Sequence, residues 1–360
     1  MTHLSLPTWL LLGVALLLAL LPLGATTFYL QLGAKIMIMA IFALSLDLLI
    51  GHSGLVSFGH AAYFGVAAYA LALITPKYEA ANFWLTLPAA VAAAALAALV
   101  IGFLVVRTAG IYFIMVTLAF AQMLYAIFHD TKLGGGSDGI YINVRPELTV
   151  AGFKVLNLES PAQFFYLALI ALITVYWILN RLLHAPFGRA LAGIRVNEQR
   201  MRSMGFPVFS YKLGAFTLAG GLAGLAGYLA ACQFGFVNPE ILAWHQSGTV
   251  LMMVILGGMG RLHGAVIGAA AYVLLQELFS SSALFGGYSK HWQLSMGTLI
   301  VIIVLAFPHG IGGLIDVAWR RRGYHGGEED SPQSAQRSQR SDAEDSESDD
   351  LTAKDAKNPK

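Results

Sequence analysis

Between Phe28 and Ile311 the sequence returns again and again to long apolar runs, among them Phe28–Ile50, Phe83–Val106, Ile111–Phe128, Phe164–Asn180 and Leu213–Phe234. A hydrocarbon core of about 30 Å is crossed by roughly 20 apolar residues rising 1.5 Å each, and a helix satisfies its backbone polar groups within itself. Composition agrees, with 57% of the 360 residues hydrophobic and 12% charged. No soluble core could absorb that many apolar side chains. An all-α polytopic membrane protein is therefore expected.

The longest polar interruption, His184 to Lys212, must lie outside the lipid and sets the orientation. Its Arg189, Arg195, Arg200, Arg202 and Lys212 face a single acid, Glu198, and such an excess of positive charge in a short loop marks the cytoplasmic side. Pro186 can open a helix, and Gly205 followed by Pro207 can close it. Arg195, Glu198 and Arg202 would form a charged stripe at i, i+3 and i+7. The spacing predicts one short helix across the inner face, either held to anionic lipid or docked on a cytoplasmic partner.

Residues 1–27 are expected to hold a first span built on Trp9–Leu23. Leu23-Gly24-Ala25 imitates a signal-peptide cleavage site, but MTHLSLPT before it has no Lys or Arg, which argues against cleavage. Asp47 would cost on the order of 3 kcal/mol at a membrane centre, so it should sit at an interface or face protein. GHSGLVSFGH, residues 51–60, disfavours helix and either lines a cavity or turns at the inner face. Arg107 falls inside. The loop 129–163 then lies outside, and its Gly134–Gly139 stretch lacks the Lys-Ser/Thr of a phosphate loop, so it reads as a flexible external connection.

Further on, Gly220, Gly224 and Gly227 form one small-residue packing face, and Gly260, Gly264 and Gly268 form a second. Trp244–Gly258 is short for a span and reads as a half-helix or re-entrant piece. Glu277 reaches water at the outer end of its run. Lys77 and Lys290 fall outside, and Arg320–Arg322 flank the last run, Leu294–Ile311, on the inside. The count is about ten membrane segments with both termini cytoplasmic. Residues 326–360 hold 5 of the 22 Lys/Arg and 10 of the 20 Asp/Glu, leaving a body of +7 and a tail of −5. The stretch 323–360 is expected to be a disordered cytoplasmic tail. The lone Cys232 excludes an internal disulfide and reads as packing. His60–Leu71 and His263–Leu274 share seven of twelve residues, which suggests a duplicated unit.

In order along the chain, GHSGLVSFGHAAYFGVAAY at 51–69, GIYFIMVTLAFAQML at 110–124, GGSDGI at 135–140, FGRALAGIRVNEQRMRSMG at 187–205, YKLGAFTLAGGLAGLAGYL at 211–229, FGFVNPE at 234–240 and LMMVILGGMGRLHGAVIGA at 251–269 resemble the LivM-type inner-membrane permeases of branched-chain amino acid ABC importers. The resemblance implies that 28–315 is a permease domain with a coupling loop at 183–212 and a periplasmic loop at 129–163. It also implies a bacterial inner-membrane location, a second related permease subunit, two cytoplasmic ATPase subunits and a periplasmic solute-binding protein. No G-x-x-x-x-G-K-[ST] occurs, so ATP and Mg are expected on the ATPase subunits, and this chain needs no cofactor, metal or nucleic acid of its own. ATPase coupling would fall to Phe187, Gly188, Arg189, Arg195, Glu198 and Gly205, although Glu198-Gln199-Arg200 departs from the acidic-Ala-Ala pattern of many importers. The substrate path would use Gly54, Ser57, Phe58 and His60, because a zwitterion of low polarity needs apolar walls with a few hydrogen-bonding groups. Similar permeases serve urea, short amides and aromatic acids as well.

Two other classes stand against this reading. Gly51-His52-Ser53-Gly54 is similar to the serine motif of rhomboid intramembrane proteases, with His263 as a candidate base, but the span count is too high. An ion-coupled carrier would place acids at mid-membrane, whereas Asp47 and Glu277 fall near the ends of runs. His52 and His60, eight residues apart with no thiolate or carboxylate cluster, make a poor metal pair.

Overall fold

The computed structural model describes residues 22, 24, 26–76, 78–150, 153–156, 158–281, 285–306 and 310–313. The expected first span except Pro22, Lys77, the Arg320–Arg322 flank and the acidic tail lie outside these residues. The apolar runs from Phe28 onward are helical. They form α1 (Thr27–Asp47), α2 (His60–Ile74), α3 (Phe83–Val105), α4 (Ile111–Asp130), α5 (Pro161–His184), α8 (Val208–Phe234), α9 (Trp244–Gly257), α10 (Leu262–Ser280) and α11 (Trp292–Ala306). The polar interruption supplies α6 (Pro186–Val196) and α7 (Glu198–Ser203).

Among the described residues six helices are long and apolar enough to cross a membrane: α1 with its extension to Ser53, α3, α4, α5, α8 and α10. The other expected segments within the described residues are shorter. At 1.5 Å per residue, α2 with 15 residues and α9 with 14 reach only about 21–23 Å, less than a hydrocarbon core of about 30 Å. The count of about ten segments includes such half-length helices, of which Trp244–Gly258 reads from its length as a half-helix or re-entrant piece.

Small side chains decide the packing. Ala90, Ala94 and Ala98 recur every fourth residue on α3 and are buried. They receive α8, whose Gly220 and Gly224 lie against Ala98 and Ala94 while Gly227 lies on the carbonyl of Phe64 in α2. No side chain would fit between those backbones. Gly264 and Gly268 bring α10 against the backbone of Gly257 in α9. Gly260, grouped with them by spacing, instead occupies the α9–α10 turn with φ of 80°. The bundle is centred on α1 and α8, each 78% buried over its apolar window, whereas α4 is 22% buried.

The loop expected to be flexible is built. β1 (Ile140–Tyr141) pairs antiparallel with β4 (Phe236–Val237), and β2 (Leu148–Val150) pairs with β3 (Phe153–Leu156). Gly139 takes φ of 71° directly beneath the carbonyl of Val237, a place open only to glycine. Arg145 donates to the carbonyls of Leu158 (3.1 Å) and Gln233 (3.0 Å), tying the loop to the end of α8. The GGSDGI and FGFVNPE stretches thus meet as one small platform.

Candidate functional site

The hairpin α6–α7 is two helices rather than one. Pro186 stands in the first turn of α6, as expected, but Asn197 is extended (φ −156°, ψ 100°) and its side chain caps α7 by accepting the Arg200 N–H at 2.9 Å. The break separates Arg195 from Glu198 and Arg202, so no continuous charged stripe forms. Glu198 bonds Arg202 (2.7 Å) and Lys212, which fastens α7 onto the N-terminal part of α8. Partial burial alone would raise the Glu198 carboxyl, but the Lys212 and Arg202 charges outweigh it and hold it below the ordinary carboxylate value. Phe187 stacks on Tyr211 at 5.6 Å, and Gly188 lies on the backbone of Leu183, making the α5–α6 corner tight. Arg189 is exposed, and Gly205, with φ of 85°, ends α7 in open space.

Arg195 turns the other way. Its Nη1 donates to the carbonyl of Gly51, which lies in a π-helical turn, Leu48–Ser53, continuing α1. Such turns loosen the regular i→i−4 ladder and recur at functional sites. Beside Gly51, the wholly buried Asp47 accepts the Gly260 N–H at 2.7 Å through Oδ1, with His52 Nδ1 at 3.8 Å from Oδ2. A methyl group at Gly51 would stand 2.5 Å from the Gly260 backbone. Three segments therefore interlock at one glycine: the hairpin, the broken end of α1 and the α9–α10 turn.

From Gly54 (φ 71°) the chain doubles back and α2 begins at His60. A helix that starts inside a bundle has first-turn N–H groups with no water to bond, and here hydroxyls supply the acceptors. Phe58 N–H donates to Thr117 Oγ1 (3.2 Å), Gly59 N–H to Ser57 Oγ (3.3 Å) and Ala61 N–H to Ser247 Oγ (2.9 Å) in the first turn of α9. Ser45 donates its only proton to the Phe42 carbonyl (2.7 Å), so the 2.8 Å contact with His60 is a donation from Nε2–H. The His60 ring stacks on Phe42 at 5.7 Å, and its Nδ1 has no partner among the described residues.

Of the residues read as a substrate path, Ser57 and His60 share this buried cluster, Phe58 borders it, and Gly54 lies away from it against Arg195. Ser45, Thr117 and Ser247 completed the hydroxyl cluster without being singled out, and in the sequence Gly260 and Gly51 read as helix packing and as part of a serine motif rather than as a contact with each other. The available signal was a hydroxyl inside an apolar run. Ser53 spends its hydroxyl on the Leu48 carbonyl at 3.1 Å. Among the described residues no group of three or more His, Cys, Asp or Glu could hold a metal ion.

No solved structure matches this chain. The high-affinity branched-chain amino acid transport system permease protein LivM of Escherichia coli K12 is 33% identical over 294 residues, covering 76% of this chain and 68% of the relative. Its counterpart from Salmonella typhimurium LT2 is 32% identical over the same shares. The autoinducer 2 import system permease protein LsrC of Photorhabdus laumondii is 27% identical over 164 residues, 44% of this chain and 47% of the relative. The profile of the branched-chain amino acid transport system permease component matches residues 28–305, and the chain belongs to that family.

Proposed function

We propose that this chain is one of two permease subunits of a bacterial inner-membrane ABC importer and that it carries leucine, isoleucine and valine inward. Two separate ATPase subunits would hold ATP and Mg and grip α6–α7 from the cytoplasm. A solute-binding protein would dock on the β platform from the periplasm. In this reading the ten apolar runs all lie in the membrane, and both termini are cytoplasmic. Conserving direction, α2 starts within the bilayer and runs outward, while α9 starts beside it and runs inward.

The observation that carries the proposal is the bond from Arg195 to the Gly51 carbonyl, backed by Asp47 on the Gly260 N–H. A push on the hairpin cannot be absorbed locally. Lys212 and Glu198 fix α7 to α8, and Arg195 delivers the displacement to the π turn and to the α9–α10 turn together. Residues 54–60 and α9 border the hydroxyl cluster, so their movement opens or closes the middle of the bundle.

A hydrogen bond to a charged group contributes about 1.5–3 kcal/mol, so Arg195→Ala should lower uptake per ATP hydrolysed by about tenfold or more in proteoliposomes holding the complete importer. The ATPase subunits should still copurify. An unchanged ratio of uptake to hydrolysis would sink the coupling role. Competition of labelled leucine uptake by isoleucine and valine, but not by urea, short amides or aromatic acids, tests the substrate.

A further inference from the structure

The permease reading uses α4 only through Thr117 on its buried face. Its buried residues Phe113, Thr117, Ala121 and Phe128 mark one face. On the opposite face Tyr112, Met115, Ala119 and Gln122 are all exposed, and their alternating three- and four-residue steps are those of a helix–helix seam. Gln122 is the twelfth of the helix's 20 residues, about 16 Å from one end and about 12 Å from the other at 1.5 Å per residue. It makes no hydrogen bond among the described residues.

A carboxamide carries two donors and an acceptor, and hydrocarbon satisfies neither. Along their apolar faces α3 exposes Leu96 and Val100, and α5 exposes Ile170, side chains that suit lipid. Ala119 stands three residues before Gln122, where its small side chain lets another backbone approach. An apolar seam with one mid-span amide fits a helix better than it fits acyl chains.

Resting on the permease reading, we propose that Tyr112, Met115, Ala119 and Gln122 form the seam with the second permease chain of the importer, and that Gln122 hydrogen-bonds a polar side chain or backbone carbonyl of that chain within the membrane. A polar group on an otherwise apolar seam sets register as well as affinity.

The complete importer in native membranes provides the test, with photoreactive benzoylphenylalanine at position 119 or 122 and, as lipid-facing controls, at 100 or 170. Illumination should join this chain to a second permease chain from 119 and 122 and not from the controls, the adduct mass telling a copy from a related subunit. Adducts only with an ATPase subunit or the solute-binding protein, equal adducts from the controls, or none from the seam in membranes that import amino acid with ATP, would overturn the seam and leave the permease reading standing. ATP-independent uptake with no copurifying ATPase subunit would overturn the permease reading itself. As a second variant, Gln122→Leu keeps a side chain of similar length and should raise the dissociation constant for the second chain by up to about tenfold, the range of an interhelical hydrogen bond. Unchanged retention of that chain would remove Gln122 from the seam.

Discussion

Gly51→Ala strikes the point where the three segments interlock. The new methyl would stand 2.5 Å from both the Cα and the N of Gly260 and closer still to Asp47 Oδ1. Carbon atoms pack at about 3.5–4.0 Å, so the α9–α10 turn must retreat by about 1 Å. That retreat stretches the 2.7 Å bond from the Gly260 N–H to Asp47 beyond hydrogen-bonding distance. Overpacking costs about 1–3 kcal/mol, and a buried acceptor left unsatisfied costs about 1–3 kcal/mol more. Alanine in place of a helical glycine returns at most about 1 kcal/mol. The net loss is therefore about 1–6 kcal/mol. Gly221→Ala is the control, because its methyl would meet Ala95 at 3.5 Å and Val91 at 3.9 Å, ordinary contacts. Thermal unfolding of the detergent-purified chain, followed by size-exclusion chromatography, measures both. Uptake by the reconstituted importer should fall with Gly51→Ala and hold with Gly221→Ala. A Gly51→Ala protein that melts with the wild type and couples normally would refute the interlock.

Gly227→Ala should destabilise by about 2 kcal/mol or more, because its methyl collides with the Phe64 backbone rather than with a side chain that could rotate; equal melting of Gly227→Ala and Gly221→Ala would contradict this. Arg145→Ala removes two bonds from a guanidinium to carbonyls and should cost about 2 kcal/mol, seen as faster hydrogen exchange at Ile140–Ile142. Glu198 has its carboxyl held below the ordinary 4.5, so the charge link to Lys212 is fully present above that value and is lost as pH falls through the depressed one. The α7–α8 corner should thus stay closed across neutral pH and loosen only in acid, whereas Glu198→Gln should show the loosened state at pH 7; hydrogen exchange over Met201–Gly205 reads both.

The helices were legible because lipid-length apolar runs leave the backbone few alternatives. Their lengths were less so. Whether Trp244–Gly257 spans or stops midway depends on what meets its first turn, where Ala61 of α2 donates to Ser247, rather than on anything within the run. The helical hairpin shows the limit in small. Its start at Pro186 follows from proline's fixed φ, yet the break at Asn197 passed unread although asparagine before an acidic residue is an ordinary N-cap pair. One extended residue was enough to send Arg195 and Glu198 to different partners.

The site itself was half readable, and the reason lies in sequence distance. Unusual residues announced themselves singly: an acid in an apolar run at Asp47, glycines and histidines where helix should continue at 51–60. Their partners did not, because Asp47 meets Gly260 across 213 positions, Gly51 meets Arg195 across 144 and Ala61 meets Ser247 across 186. No periodicity carries over such separations. What can be reasoned forward is the demand rather than the supplier. Once a glycine-rich stretch forces a helix to begin in the interior, its first N–H groups need acceptors that water cannot provide, so hydroxyls must arrive from other runs. Thr117 and Ser247 meet that demand from other helices and Ser57 from within the stretch, and an opening between α2 and α9 must hand the Ala61 N–H to another acceptor as it parts them.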